Sequence, residues 1–325
     1  MASQWRRRAF LSASVAGLVS TAATARRPAS GAEVSRETFT YKTVGSCQIK
    51  ADVYGASPGE RRPLAVWIHG GALIMGDRRG IDRTLLAELI KAGYVVVSID
   101  YRLAPETKLA AILDDVKDAF AWVRAEGPKS FGARIDRIAV LGGSAGGYLT
   151  LTCGYLIEPR PAALVSFWGY GDIAGTWYSR PDAFYRRQPL VTEAQARAAV
   201  GTTEVAEPPP RNQRGRFYLY CRQNGLWSKE VAAHDPDAEP KAFDPYCPVR
   251  NLSAKYPPTL MIHGTKDTDV PHEQSVVMDR ELTSHHVPHE FISVPGGGHG
   301  LGGVDKAVLA GIHQRVLDFL KRYTA

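Results

Sequence analysis

Cysteine is scarce in this sequence of 325 residues, which contains only four cysteines and no CxxC pair. Four cysteines are too few for a small disulfide scaffold, and their spacing excludes a zinc ribbon or a thioredoxin-like motif. Charge of one sign is also limited: the net charge is +7, and Arg6, Arg7 and Arg8 supply three of those charges. The remaining +4 forms no basic block, so a mildly basic enzyme is favoured over a nucleic-acid-binding protein.

Signs of disorder, of sequence repeats and of a metal site are lacking as well. The chain is 44% hydrophobic and 22% charged, which is ordinary for a globular protein with one large or two smaller domains. The run His285-His286-x-x-His289 is interrupted by Pro288 and is more typical of a solvated turn than of a metal site. His272 lacks the second histidine of a zinc protease motif. We therefore expect neither a metal nor a cofactor.

Long hydrophobic runs are absent after residue 25, and the N-terminal segment has the three parts of a secretory signal. A positive start is followed by an apolar run and by Ala23-Thr24-Ala25, an A-x-A cleavage site. Residues 7–11, Arg-Arg-Ala-Phe-Leu, resemble the twin-arginine export signal. The apolar run of about 17 residues is short for a membrane span. The sequence predicts an exported protein, periplasmic or secreted, with a signal peptide over 1–25 and a flexible segment over 26–37.

Short apolar runs alternate with helical patterns over residues 38–325. Nearly unbroken apolar runs of this kind are typical of strands buried on both faces of a parallel sheet. The alternation predicts a doubly wound, mostly parallel α/β sheet, preceded by an antiparallel hairpin over 38–43 and 47–54. The other predicted strands are 64–68, 94–99, 138–141, 163–167, 259–262 and 290–294. The predicted helices are 84–91, 111–123, 145–156, 274–282 and 307–320.

One segment, about 168–248, breaks the alternation, and only 192–200 is predicted as a longer helix within it. Residues 168–227 hold ten of the thirty aromatic residues of the chain. Two interpretations stay open: a cap over a binding site, or an irregular insertion that packs on its own aromatic side chains. Six arginines of the segment either favour an acidic or sugar-bearing substrate or form a solvated surface: Arg180, Arg186, Arg187, Arg211, Arg214 and Arg216.

A nucleophile motif follows the predicted strand at 138–141. Residues 142–146 read Gly-Gly-Ser-Ala-Gly, which fits G-x-S-x-G, and the next predicted helix begins at Ala145. Small residues on both sides of Ser144 allow the sharp strand-to-helix turn that lifts a serine hydroxyl above the sheet edge. The start of the helix places backbone N–H groups beside that oxygen. This context indicates a nucleophilic Ser144.

An acid and a base follow Ser144 in the order Ser, Asp, His that α/β-hydrolases use. A predicted strand runs into Asp267 and Asp269, and His299 lies in a glycine-rich loop after the last predicted strand. Because the carboxyl ends of parallel strands meet at one edge of a sheet, these side chains are expected near Ser144. Both aspartates are candidates for the acid at this stage.

A third loop, His69-Gly70-Gly71-Ala72, follows the predicted strand at 64–68. Its two glycines let backbone amides approach an oxyanion closely. Together with the Ala145 amide they would form an oxyanion hole, in which each donor is worth roughly 3 kcal/mol of transition-state stabilisation. His69 and His263 are interpreted as structural histidines that bond loop backbone.

Five ordered motifs resemble the α/β-hydrolase esterases related to hormone-sensitive lipase and the acetyl esterases. These motifs are His69-Gly70-Gly71, the run Asp-Tyr-Arg-Leu-Ala-Pro-Glu at 100–106, the glycine-rich run at 142–147, and the loops of Asp267 and His299. The resemblance implies that Ser144 is the nucleophile and His299 the base. It also implies that Asp267 is the acid of an H-G-x-x-D-x-x-V-P pattern. Gly70, Gly71 and Ala145 match the oxyanion donors.

The sequence departs from this family in two places. Ala72 stands where a third glycine is frequent, and too few residues precede residue 64 for the N-terminal helical cap that members usually carry. The insertion after Trp168 is a candidate for that role.

Five residues outside these motifs also have predicted positions. Cys153 is predicted in the core, whereas Cys221 and Cys247 flank the end of the insertion and are either free or paired with each other. The double acid Asp114-Asp115 is predicted on a helix face near the helix start.

The sequence thus predicts an exported serine esterase that hydrolyses short-chain acyl esters, acetyl or aryl, of small-molecule or carbohydrate alcohols. Two alternatives are a peptidase of the prolyl-oligopeptidase type and a non-catalytic binding member of the fold. The peptidase is disfavoured because about 40 residues between the predicted cleavage site and residue 64 leave no room for the usual propeller. The binding protein is disfavoured because all three triad positions are occupied by suitable residues.

Overall fold

Eight strands form a single sheet in the computed structural model, which describes residues 35–208 and 213–325. The predicted signal peptide and Arg211 lie outside the described residues. The strand order is β1-β2-β4-β3-β5-β6-β7-β8. The strands are β1 (Arg36–Val44), β2 (Cys47–Tyr54), β3 (Arg62–Ile68), β4 (Val95–Ile99), β5 (Ala133–Gly143), β6 (Ala163–Phe167), β7 (Thr259–Gly264) and β8 (His289–Val294). Arg36 and Glu37 belong to β1 instead of the predicted flexible segment, of which residues 26–34 lie outside the described residues.

Ten α-helices accompany the strands in the described ranges. They are α1 (Arg83–Lys91), α2 (Leu109–Glu126), α3 (Ala145–Leu156), α4 (Thr176–Ser179), α5 (Ala183–Arg186), α6 (Glu193–Arg197), α7 (Arg214–Asn224), α8 (Trp227–Ala232), α9 (Glu273–Ser284) and α10 (Lys306–Thr324). Short 3-10 segments lie at Arg78–Gly80, Pro240–Tyr246, Pro248–Arg250 and His299–Leu301, and a π-turn lies at Gly127–Phe131. No helix in this part of the chain has both the length and the hydropathy needed to cross a bilayer.

The predicted mostly parallel sheet and N-terminal hairpin are confirmed. Strands β3 to β8 pair in parallel, whereas β1 with β2 and β2 with β4 pair antiparallel. Successive residues of β3 enter different cores, because side chains alternate across a strand. Val66 belongs to the core under α2, α3 and α9, and Trp67 to the core under α1 and α10. Because β3 and β5 to β8 run parallel, the five loops that follow their carboxyl ends lie at one edge of the sheet.

The insertion between β6 and β7 contains α4 to α8, and only α6 among these helices was predicted. Helix α7 has 11 residues, whereas the predicted helix at 192–200 is only the five-residue α6. The buried stripe of α7 has helical spacing but includes charged residues: Arg214, Phe217, Tyr218, Cys221 and Arg222. The sequence does not reveal this stripe, because arginine is normally a surface residue.

Two charged residues are buried in ion pairs. The expectation for Arg214 was wrong: it lies on no solvated surface, because its guanidinium forms an ion pair of 2.6 Å with Glu106 and both side chains are buried. Asp114 and Asp115 lie near the start of α2, as predicted, but Asp115 is fully buried and accepts from Arg102 Nε at 2.7 Å. The sequence did not indicate the partner of either buried acid.

The four cysteines are all free and all buried in the structure. The pairing of Cys221 with Cys247, left open from the sequence, does not occur. Cys153 lies in the core, as predicted. Instead of bonding a second sulfur, the thiol of Cys247 donates to Asp172 at 3.3 Å.

Candidate active site

Ser144 occupies a strained turn between β5 and α3. Its backbone has φ 56° and ψ −121°, which is unusual for a residue with a side chain. Its N–H donates to the carbonyl of Phe167 at 2.9 Å. A Cβ at Gly146 would come within 2.0 Å of the Ile68 carbonyl oxygen, so only glycine fits there. These contacts fix the half-buried serine hydroxyl above the edge of the sheet.

The structure brings Ser144, His299 and Asp267 together. His299 Nε2 lies 3.1 Å from Ser144 Oγ, and His299 Nδ1 donates to Asp267 Oδ2 at 2.8 Å. The other oxygen of Asp267 accepts from the N–H groups of Asp269 at 2.8 Å and Val270 at 2.9 Å. The Asp267 carboxylate is thus fixed at both oxygens, and it fixes the imidazole in the tautomer that leaves Nε2 free to accept a proton.

The pKa shifts of Asp267 and His299 favour proton transfer from Ser144 to His299. Burial would raise the pKa of Asp267, but hydrogen bonds from His263, His299 and the Val270 N–H hold the pKa well below its ordinary value. Burial lowers the pKa of His299, but the Asp267 hydrogen bond and the charges of Asp267 and Asp269 outweigh it, and the net shift is upward. An ionised Asp267 therefore favours the imidazolium that forms when His299 accepts a proton.

His69 and His263 both bond loop backbone, as predicted. The His69 ring donates from Nδ1 to the Gly70 carbonyl at 2.7 Å and stacks on Tyr101 at 4.2 Å between ring centroids. Burial lowers the pKa of His69 to about 4. His263 Nε2 contacts the Val270 carbonyl at 3.1 Å and also lies 3.3 Å from Asp267 Oδ2. The sequence did not indicate this second contact, which places His263 behind the Asp267 carboxylate.

Two of the predicted oxyanion residues, Gly70 and Ala145, lie next to Ser144. A Cβ built on Gly70 would lie 3.3 Å from Ser144 Cβ, and one on Gly71 would lie 2.0 Å from the Met75 carbonyl oxygen. Neither Gly70 nor Gly71 donates its N–H to another residue among those that the structure describes. Ala145 is the first residue of α3, where an N–H has no partner inside the helix. The N–H groups of Gly70 and Ala145 are thus available beside the serine, and that of Gly71 is available in the same loop as Gly70.

A family model for the alpha/beta hydrolase fold matches residues 65–302. The chain belongs to the α/β-hydrolase family. This match confirms the fold and the family resemblance predicted from the sequence, and it includes the loops of Gly70, Ser144, Asp267 and His299.

A polyketide synthase and two esterases are among the proteins that this chain is similar to. A non-reducing polyketide synthase of Penicillium rubens is 30% identical over 79% of this chain, which spans only 12% of the synthase. Esterase LipC of Mycobacterium tuberculosis is 28% identical over 77% of this chain and 56% of its own length. A truncated carbohydrate esterase from gut microbiota has a TM-score of 0.64 and 23% identity, covering 90% of this chain and 97% of its own. The last of these likenesses shows the fold.

Asp269 does not occupy the acid position of this α/β-hydrolase but the opposite side of the imidazole. Its Oδ2 lies 3.4 Å from His299 Nε2, the nitrogen that faces Ser144. Its Oδ1 accepts from Tyr185 OH at 2.7 Å, from Tyr218 OH and from Arg222 Nη1 at 2.9 Å. The sequence singled out none of these three donors for a role at the site. The only signal for them in the sequence was the four-residue spacing of Tyr218 and Arg222, which places both on the same side of a helix.

Aromatic side chains of the insertion pack both on each other and towards the site. Trp177, Tyr178 and Trp227 form a stack with centroid distances of 3.6 and 3.9 Å. The ring of Trp168 contacts the ring of His299, with a centroid distance of 6.3 Å. The stack fits an insertion that packs on its own aromatic side chains, and a cap over the site stays a prediction.

A cavity of about 620 Å³ lies beside Trp168. It is lined by side chains of β3, β6, α1 and α10, among them Trp67, Phe167, Leu85 and Ile312. No cluster of three or more histidine, cysteine or acidic side chains suited to a metal ion is found in residues 35–208 and 213–325.

Proposed function

We propose that the protein is a serine hydrolase of carboxylic esters. The observation that carries the proposal is the chain of contacts from Ser144 Oγ to His299 Nε2 at 3.1 Å and from His299 Nδ1 to Asp267 Oδ2 at 2.8 Å. A hydroxyl, an imidazole and a carboxylate in this order form a nucleophile, a general base and the group that orients the base. The similarity to an esterase of Mycobacterium tuberculosis supports the same reaction.

The reaction follows from the positions of these groups. Ser144 Oγ attacks the acyl carbon and gives its proton to His299 Nε2, and the N–H groups of Gly70, Gly71 and Ala145 stabilise the oxyanion. The intermediate then expels the alcohol, which takes the proton from Nε2 and leaves the acyl group on Ser144. Water attacks this acyl-enzyme, gives one proton to His299, and the acid leaves as Ser144 recovers its proton.

Replacement of the nucleophile tests the assignment. In Ser144→Ala, kcat for p-nitrophenyl acetate should fall by about 10⁴- to 10⁶-fold, because the hydroxyl forms the covalent intermediate. The melting curve should stay near that of the wild type, since the hydroxyl is half-buried and little packing is lost. Activity within tenfold of the wild type, with the same melting curve, would refute the assignment.

We further propose that the acyl group is short. Aromatic side chains such as Trp168 limit the space beside His299. Each acyl methylene that fits contributes about 0.8 kcal/mol, or nearly fourfold in specificity, until the space is filled. In a panel of p-nitrophenyl esters, kcat/KM should be highest at about two to four carbons and lower at eight. A rate still rising at ten carbons would contradict a closed pocket, and cleavage of a proline anilide instead of esters would favour a peptidase.

Export through a twin-arginine signal is also proposed. The support is the run Arg7-Arg8-Ala9-Phe10-Leu11 followed by an apolar stretch and an A-x-A site. Changing Arg7 and Arg8 together to lysine in the full chain should retain the protein in the cytoplasmic fraction of expressing cells. Undiminished export of the double variant would overturn this route.

A further inference from the structure

The carboxylate of Asp269 lies beside the catalytic histidine, and only one of its two oxygens accepts hydrogen bonds from the insertion. Oδ1 accepts from Tyr185, Tyr218 and Arg222, whereas Oδ2 has no partner other than His299 Nε2, at 3.4 Å, among the described residues. The side chain is 20% exposed, so it lies at the rim of the site. An oxygen in this position is available to a substrate.

The surroundings of Asp269 hold it rigidly. Arg222 is only 1% exposed and bridges Asp182 and Asp269, at 2.8 and 2.9 Å. The guanidinium also lies 4.6 Å from the ring centroid of Tyr185. Burial raises the pKa of the Tyr185 and Tyr218 phenols, so both remain O–H donors. Three fixed donors on Oδ1 set the direction in which Oδ2 points, as a binding site for one specific group requires.

The position of Oδ2 defines which part of the substrate it meets. During ester cleavage the leaving oxygen takes a proton from His299 Nε2 and must lie within hydrogen-bond distance of it. Oδ2 is 3.4 Å from the same nitrogen. A hydroxyl on the carbon adjacent to the one that bears the ester oxygen therefore comes within reach of Oδ2, whereas a hydroxyl several carbons away does not.

We propose that Asp269 determines specificity by accepting, through Oδ2, a hydrogen bond from a hydroxyl vicinal to the scissile ester oxygen. The preferred substrates are then monoesters of vicinal diols, a chemistry shared by partly acylated sugars and glycerol. This inference rests on the ester hydrolysis proposed above. It also disfavours the acidic substrate that the arginines of the insertion had suggested. The two carboxylates of Asp182 and Asp269 exceed the single positive charge of Arg222 between them.

A minimal pair of substrates tests the wild-type enzyme. 2-Hydroxyethyl acetate and propyl acetate have the same number of heavy atoms and differ by one hydroxyl in place of one methyl group. A site built to bond a hydroxyl discriminates against the analogue that lacks it, so kcat/KM should favour the hydroxy ester by about tenfold or more. Glycerol 1-monoacetate and a methyl monoacetyl-xylopyranoside then distinguish an acyclic from a sugar alcohol. A ratio below about two for the minimal pair would overturn the inference.

Two variants separate recognition from structure. Asp269→Asn places a neutral amide at the position of Oδ2, and the preference should fall to about twofold or less. Asp182→Asn is the matched control, because it removes the other carboxylate on Arg222 but does not touch His299, and it should keep the preference. Equal loss of preference in both variants would mean that Asp269 acts only through Arg222, and would overturn the inference. The minimal pair on the wild type decides the question even if Asp269→Asn does not fold.

Three further outcomes also decide between the proposals. A choline ester cleaved faster than 2-hydroxyethyl acetate would overturn the hydroxyl assignment in favour of recognition of a cation. Hydrolysis of p-nitrophenyl acetate with equal rates on the minimal pair would overturn this inference alone. No hydrolysis of any of these esters would overturn the proposed function, and this inference with it.

Discussion

Three oxygen atoms lie near the two ring nitrogens of His299, and their positions show which residue contacts which nitrogen. Asp267 Oδ2 accepts from Nδ1 at 2.8 Å, while Ser144 Oγ and Asp269 Oδ2 lie 3.1 and 3.4 Å from Nε2. The sequence alone offered both aspartates as the acid. Distances to different nitrogens separate them, since only the carboxylate on Nδ1 can fix the tautomer. The family pattern implied Asp267, but the residues alone could not separate the two acids, because they lie two positions apart in the same loop.

The first prediction concerns Asp267. In Asp267→Asn the amide can still accept the N–H groups of Asp269 and Val270, but it also offers N–H donors to the ring and favours the wrong tautomer of His299. We expect kcat to fall by about 10⁴-fold with little change in the melting temperature. Steady-state kinetics with p-nitrophenyl acetate measure the loss. A decrease of less than tenfold would show that Asp267 is not the orienting acid.

The second prediction is a pH dependence. His299 must be neutral to accept the serine proton, and its pKa is raised above 6.5 because the carboxylates of Asp267 and Asp269 outweigh its burial. Activity is therefore lost as the pH falls through a value above 6.5, and the acidic limb of kcat/KM should have its midpoint there. Asp269→Asn removes one of the two negative charges and should shift the midpoint to lower pH. A midpoint below 6.5 in the wild type would contradict this balance.

At the scale of secondary structure, α7 joins the insertion to the loop that follows β3. Arg214 at its start donates to the carbonyl oxygens of Ile74 and Ala104, at 2.5 and 2.6 Å, and pairs with Glu106. Tyr218 and Arg222, farther along the helix, contact Asp269. One helix therefore couples the oxyanion side of the site to the histidine side, which explains why its buried stripe is polar.

The third prediction follows from this role of α7. Arg214→Ala leaves the Glu106 carboxylate buried without its cation, and removal of one partner of a buried pair costs about 3–5 kcal/mol. Urea unfolding should show a destabilisation of this size. Arg186→Ala is the matched control in the same insertion, since Arg186 is exposed and should change stability by no more than about 0.5 kcal/mol. Equal stability of the two variants would show that the buried pair contributes nothing to the fold.

At the scale of the whole molecule, the sheet was predictable and the insertion was not. Strands such as Ala163–Phe167 are nearly unbroken apolar runs, and the glycines around Ser144 allow a sharp turn, so local residues specify both. The insertion is held by buried charges such as Arg222, whose partners are distant in sequence. Such pairs leave no periodic signal, because the residue types involved are those that normally face water.

The fourth prediction distinguishes a fold held by packing and buried ion pairs from one held by disulfides. All four cysteines are free and buried, and burial raises the pKa of Cys247 to about 12. The folded protein should therefore react slowly with iodoacetamide at neutral pH, because little thiolate is exposed. Without any reductant, denaturation should make all four thiols available, and the melting temperature should be the same with and without dithiothreitol. Two unreactive thiols in the denatured, unreduced protein, together with a lower melting temperature in reductant, would reveal a disulfide and contradict the structure.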